Sequence, residues 1–217
     1  MLQGALYKIN EIFYSLQGEG HKAGTPMVFV RFSGCNLACP FCDTRHQEGS
    51  PMSLEDIAAE VNRFPLAQWI VLTGGEPSLF IDRDFISSLK SLTNKKIAIE
   101  TNGTRPLPDN IDWVTLSPKF TICQPLSDTD AADREDTPEA EVRLAHADEI
   151  KVVDLGQDLE PYFNLDCRAA DTFMYLQPCY DPDDATREAN LRRTISRVLA
   201  DPRWALSLQQ HRLLSIP

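Results

Sequence analysis

Two near-continuous apolar runs, Met27–Phe32 (MVFVRF) and Ile70–Thr73 (within WIVLTG), constrain the fold more than any other feature of this chain. A half-exposed strand alternates apolar and polar residues; these runs do not alternate, so they read as strands buried on both faces, the habit of parallel sheets. Similar short runs recur at Ile97–Glu100, Trp113–Ser117, Glu149–Val153, Phe173–Gln177 and Ala205–Leu208. Helical patterns lie between some of them. Ser53-Leu-Glu-Asp56 reads as a capping box, followed by Leu54, Ile57, Ala58 and Val61 on one face. Phe85, Ile86 and Leu89 suggest a second helix, and Leu191, Ile195, Val198 and Leu199 the apolar stripe of a third, ended near Asp201-Pro202. Strand, helix, strand repetition predicts right-handed βαβ units and the α/β class.

The 217 residues suffice for one core, and no linker divides them, so one domain over residues 1–217 is expected. A net charge of −11 repels a phosphate backbone and argues against a nucleic-acid partner. No apolar run is long enough for a membrane span, and the first residues carry no secretion pattern, which predicts a cytoplasmic protein with no membrane partner. Between Asp128 and Glu141 seven acidic residues face only Arg134, the composition of a solvated loop.

Cys123, Cys167 and Cys179 are scattered and read as small buried hydrophobes. Cys35-Asn-Leu-Ala-Cys39-Pro-Phe-Cys42 is different: three thiols within eight residues can grip one compact metal centre. Zinc would be satisfied if His46 completed a Cys3His set, although such sites usually spread their ligand pairs over a longer loop. A [4Fe-4S] cube held by three cysteines would leave its fourth iron open to a small molecule.

The C-x3-C-x2-C spacing, with Phe41 before the last cysteine, resembles the signature of the radical S-adenosylmethionine superfamily. Thr73-Gly-Gly-Glu-Pro77, one strand later, resembles that superfamily's second motif; two glycines at a strand end admit a ligand close to the backbone. Ile12-Phe-Tyr-Ser-Leu-Gln-Gly-Glu-Gly20, Cys42-Asp-Thr44, Ile99-Glu-Thr-Asn-Gly103, Ser117-Pro-Lys119, Gln177-Pro178 and the tail Ser207–Pro217 together resemble the 7-carboxy-7-deazaguanine synthase family.

That resemblance implies an incomplete, reduced radical-SAM-type (β/α) partial barrel with mostly parallel strands. It implies a lyase of queuosine and 7-deazapurine biosynthesis that converts 6-carboxy-5,6,7,8-tetrahydropterin to 7-carboxy-7-deazaguanine with loss of ammonia. It also implies one [4Fe-4S] cluster on Cys35, Cys39 and Cys42, S-adenosylmethionine regenerated in each turnover, Mg²⁺ on Thr44, a homodimer, and a flavodoxin or ferredoxin reductant. Phe41, Asp43, Gly75, Ser117, Pro118, Lys119, Gln177 and Pro178 match positions near the S-adenosylmethionine. Leu16, Gln17, Gly18, Glu19, Arg31, Thr73, His211 and the carboxylate of Pro217 match the substrate site.

Several of these residues suit those roles physically. A hydroxyl suits Mg²⁺, a glutamine offers both donor and acceptor to an amide edge, and Arg31 is a cation inside an apolar strand that needs an anion or carbonyl partner. A glycyl-radical activase would share the cluster but explains neither the Gln-Gly-Glu-Gly segment nor the tail. A zinc-binding interaction module on Cys35, Cys39, Cys42 and His46 is the reading from another class.

Overall fold

In a computed structural model, residues 4–42, 47–119, 124–125 and 141–217 are described. Asp43, Thr44, His46, Cys123 and nearly all of the Asp128–Glu141 segment lie outside the described residues. The strands are β1 (Tyr7–Leu16), β2 (Pro26–Phe32), β3 (Leu37–Ala38), β4 (Ser50–Met52), β5 (Trp69–Gly74), β6 (Lys96–Thr101), β7 (Trp113–Leu116), β8 (Gln124–Pro125), β9 (Ala147–Asp154), β10 (Arg168–Pro178) and β11 (Ala205–Leu206). The helices are α1 (Leu54–Asn62), α2 (Arg83–Thr93), α3 (Asp184–Ala200) and the short α4 (Gln210–Leu214).

One open sheet runs β11-β10-β9-β7-β6-β5-β2-β1-β4, and a separate pair joins β3 to β8. From β2 through β11 every neighbouring pair is parallel, whereas β1 runs antiparallel to both β2 and β4. The sheet does not close, so the architecture is a mixed α/β, mostly parallel partial barrel. The sequence reading missed β1, whose partly exposed residues break the double-sided apolar habit of its neighbours.

Ser53 caps α1 by accepting from Asp56 N, and Asp56 answers to the Ser53 amide, which stabilises the helix by about 1 kcal/mol. Leu54, Ile57, Ala58 and Val61 then bury against the sheet with Phe85, Ile86 and Leu89 of α2. These side chains meet Val28, Val30, Ile70, Leu72, Ile97 and Ile99, so the helices cover one face only. The opposite face carries Phe29, Val71 and Ala98. With a side-chain period of two, Arg31, Thr73 and Glu100 follow them on that helix-free face, toward the C-terminal ends of the strands.

Helix α3 departs from its expected apolar stripe: Ile195 is exposed at 37% and Leu199 at 80%, while Thr194 is fully buried. The reason is Asp154, buried at the end of β9. It accepts from Thr194 Oγ1 at 2.8 Å and Gly156 N at 3.0 Å, and pairs with Arg197 Nη1 at 2.5 Å. Burial pushes the Asp154 carboxyl up, but these donors outweigh it and hold the pKa below the usual range. The helix is therefore anchored by a polar network and only in part by its apolar residues, such as Val198. The β11 strand is also shorter than expected, ending at Leu206.

Candidate active site

Parallel strands deliver their C-terminal ends to one edge, and the chemistry-bearing loops gather there. The loop after β2 carries Cys35, Cys39 and Cys42; Gly74-Gly75-Glu76 follows β5, Ser117-Pro118-Lys119 follows β7, and Gln177-Pro178 ends β10. All three cysteines line one cavity of about 200 Å³ with Leu37, Phe41, Thr73, Gly75, Glu76, Ser117, Lys119, Gln177 and Pro178. Pro118 is buried and does not line it. The loop is clipped to its neighbours: Asn36 donates to Thr104 Oγ1 at 2.8 Å and accepts from Asn102 Nδ2 at 3.0 Å. Gly75 has to be glycine, because a Cβ there would collide with the carbonyl oxygen of Gly34.

Among the described residues, no three His, Cys, Asp or Glu side chains converge on the position of a single metal ion, yet three thiols surround one cavity. That donor set fits a polynuclear iron–sulfur centre better than a lone ion. Leu37 N donates to Cys35 Sγ at 3.5 Å, a bond that remains available to a cluster thiolate. Burial pushes the Cys35 thiol up to about 11, so loading the metal has to displace its proton.

Glu76, 1% exposed, accepts from Ser78 N at 3.0 Å, Thr101 Oγ1 at 2.7 Å and Asn102 N at 2.6 Å. Its carboxyl is raised by burial, and among the described residues no cation pairs with it. A buried acceptor of this kind on a cavity wall suits a ligand ammonium.

A second cavity, of about 140 Å³, is lined by Phe13, Leu16, Gln17, Gly18, Glu19, Phe29, Arg31, Thr73, Glu100, Gln209, His211 and Pro217. It gathers every residue that the resemblance places at the substrate. His211 and Pro217 reach it because residues 207–217 fold back over the turn after β1. Gln210 N donates to the Gly18 carbonyl at 2.9 Å, Gly20 N to Ser207 Oγ at 3.0 Å, and Ser15 Oγ to the Pro217 carbonyl at 2.8 Å. Any Cβ on Gly18 would meet the His211 ring. Arg31, which lines this cavity, stands with its Nε 2.9 Å from the half-exposed Glu11 but without the alignment of a hydrogen bond.

Glu19, Thr73, Glu100 and Gln209 line both cavities, so the two share a wall. Lys151, 5% exposed, lines the cysteine cavity at this wall, paired with Glu19 and 3.6 Å from Glu100. The sequence reading missed Glu100, Glu149 and Lys151. The signal was present, since each is a charge inside a strand, as Arg31 is. Cys179, read as a buried hydrophobe, instead lines the cysteine cavity and is only half-buried.

Residues 29–116 match the model of the Radical SAM superfamily. A Bacteroides thetaiotaomicron protein called 7-carboxy-7-deazaguanine synthase is 47% identical over 209 residues, covering 96% of this chain and 98% of that protein. The chain belongs to the 7-carboxy-7-deazaguanine synthase family. A relative of the same name from Nitratidesulfovibrio vulgaris is 38% identical, covering 97% of this chain and 99% of its own. The crystal structure of QueE from Escherichia coli superposes with a TM-score of 0.68 at 30% identity, covering 95% of each chain. Membership of this family implies a [4Fe-4S] cluster and S-adenosylmethionine as cofactors.

Glu149, which lines neither cavity, titrates next to this wall. Burial pushes the Glu149 carboxyl up to about 7, against the pull of Lys151 and of the His21 amide that donates to it at 2.8 Å. Unfolded, the same group titrates near about 4.3. Between these values the folded chain holds a proton that the unfolded chain lacks. This contribution is therefore fully present below the unfolded value and lost as pH rises through about 7. Glu149→Gln keeps an acceptor for His21 and removes the titration. It is expected to melt a few °C above the parent at pH 8, for a loss of order 2–3 kcal/mol, with the gap closing at pH 5. Anaerobic melts at the two pH values check it; a gap independent of pH would rule out Glu149 as the titrating group.

Proposed function

We propose that this chain converts 6-carboxy-5,6,7,8-tetrahydropterin to 7-carboxy-7-deazaguanine with loss of ammonia, a step of queuosine and 7-deazapurine biosynthesis. The observation that carries this reading is the shared wall: the cysteine cavity and a small polar cavity meet at Glu19, Thr73, Glu100 and Gln209. The substrate less one ammonia has the atoms of the product, so no external oxidant is needed. When bound, the cluster and S-adenosylmethionine supply a hydrogen-abstracting radical reagent at this wall.

Cys35, Cys39 and Cys42 hold the cluster in this reading, and the remaining residues of the first cavity orient the cofactor. Glu76 accepts the ammonium of its methionine; Phe41, Gly75, Ser117, Lys119, Gln177 and Pro178 bound it, with Asp43 and Pro118 as flanking positions. In the second cavity the Leu16–Glu19 turn and Glu100 accept from the pterin's amino and amide edge. Arg31, His211 and Thr73 hold the carboxylate end, beside the chain terminus at Pro217. We assign Mg²⁺ to Thr44, outside the described residues, where it would neutralise the substrate carboxylate. A homodimer and a flavodoxin or ferredoxin reductant complete the reading.

The test is an anaerobic assay of reconstituted protein with S-adenosylmethionine, reductant, Mg²⁺ and the tetrahydropterin, with products read by mass. The expected result is 7-carboxy-7-deazaguanine with S-adenosylmethionine retained and a lower rate without Mg²⁺. Adenosyl cleavage without that product would refute the substrate. A peptide tag fused after Pro217 is expected to cut turnover at least tenfold with iron content unchanged, because the added residues crowd the second cavity that Pro217 lines. Full activity in the tagged protein would count against the placement of the tail.

A further inference from the structure

Three carboxylates and one ammonium cluster at the wall shared by the two cavities: Glu19 and Glu100 line both, Lys151 lines the cysteine cavity, and Glu149, 2% exposed, lines neither. Glu100, Thr115 and Glu149 sit side by side across β6, β7 and β9, and Lys151 follows Glu149 on the same face of β9. Glu19 arrives from the turn after β1. Its carboxylate accepts from Lys151 Nζ on one oxygen and from Gln209 Nε2, at 2.9 Å, on the other. Glu100 accepts from Gln17 Nε2 at 2.9 Å and lies 3.6 Å from Lys151 Nζ. Lys151 therefore bridges two carboxylates that both border the substrate cavity, without itself lining that cavity.

We propose that Lys151 is the positioning residue that lets Glu19 and Glu100 stand side by side as carboxylates, and that this acceptor pair selects a ligand presenting adjacent N–H donors, the aminopyrimidinone edge of a pterin. The inference rests on the proposed function and adds to it the residue that sets its substrate class. The physical reason is like-charge repulsion. Two carboxylates this close to one cation share its charge, and without it one of them takes up a proton. The wall would then present a hydroxyl where the ligand needs an acceptor. Burial disfavours the Lys151 ammonium, but Glu100, Glu19 and Glu149 outweigh it and raise its pKa, so it keeps its charge at neutral pH. The other groups facing the cluster are Glu149, which carries the His21 amide bond, Lys22 and Tyr175 beside Glu149, and His211 beside Glu19.

The experiment measures the dissociation constant of 6-carboxy-5,6,7,8-tetrahydropterin on the anaerobic holoenzyme with S-adenosylmethionine, between about pH 6 and pH 9. Lys151→Met is expected to bind about tenfold or more weakly at neutral pH and to regain affinity as pH rises, because charge-assisted acceptors are restored. Lys151→Arg should stay within a few-fold of the parent. Lys151→Met combined with Glu19→Gln should bind weakly without that recovery, since the like-charge pair is gone while Glu149 still titrates. Iron content should not change in any variant, and because Lys151, Glu19 and Glu100 also line the cysteine cavity, pterin affinity is read at saturating S-adenosylmethionine.

A pH-independent loss in Lys151→Met, matched by Lys151→Arg, would make Lys151 a packing residue and overturn the proposal. If Lys151→Met does not fold, Glu100→Gln probes the same wall with the buried Lys151–Glu19 pair intact, and unchanged pterin affinity there overturns it equally. A parent enzyme that binds no pterin at all overturns the functional reading and this proposal with it. Parent turnover with a pH-independent variant overturns only the latter.

Discussion

Replacing Cys39 with alanine is expected to leave a protein that purifies without a stable cluster and has no detectable turnover, the largest loss any single substitution here should cause. Cys39 is one of three thiols lining the cavity, and a cube held by three thiolates has no spare anchor on the protein side. The thiols also belong to one short loop, so losing the middle one leaves only Cys35 and Cys42, at its two ends, to hold the metal. Iron and sulfide analysis with the visible absorption of the reconstituted protein reads the outcome directly. Cys123→Ala, outside the Cys35–Cys42 loop, should keep full iron content. Iron lost with Cys123 and kept with alanine at 39 would invert the ligand assignment.

Glu76→Ala should combine a loss of cofactor affinity with a loss of stability. The side chain is buried and accepts three hydrogen bonds that tie the turn after β5 to the ends of β6 and its following loop. Truncation leaves the amides of Ser78 and Asn102 buried without their acceptor, at about 1–3 kcal/mol each. For a chain of this size the apo protein should then melt roughly 10 °C lower. Affinity for S-adenosylmethionine should fall at least tenfold, because the cavity loses its only uncompensated buried carboxylate among the described lining residues. Differential scanning fluorimetry under argon and equilibrium binding separate the two effects. A variant that melts with the parent and still binds the cofactor would remove Glu76 from both roles.

Much of the site is legible in the chain because its signals are local. The cysteine spacing, the glycine pair and the capping box each lie within a few residues, and each follows from what one short segment needs. Gly75 and Gly18 show the step that folding adds. The sequence marks Gly75 as a point of close approach and Gly18 as a site position, but only the structure shows that a Cβ on Gly75 would meet the Gly34 carbonyl and one on Gly18 the His211 ring. The α3 stripe shows the opposite case. Leu199 fits a helical apolar period and still lies 80% exposed, because a buried aspartate on β9 sets which side of the helix faces the sheet.

What the sequence alone determined is the class of the sheet and which loop gathers the three clustered thiols. Uninterrupted apolar runs admit no solvent face, and three thiols in eight residues admit few structural uses. What only the tertiary structure decided is the wall between the cavities. Residues 19, 100, 151 and 209 come from a turn, two separate strands and the tail, and no local pattern relates them. Strand order, parallel register and the return of the tail over the first turn bring them together. These are long-range pairings, fixed by burial and backbone hydrogen bonding across the whole sheet rather than by any segment's own preference.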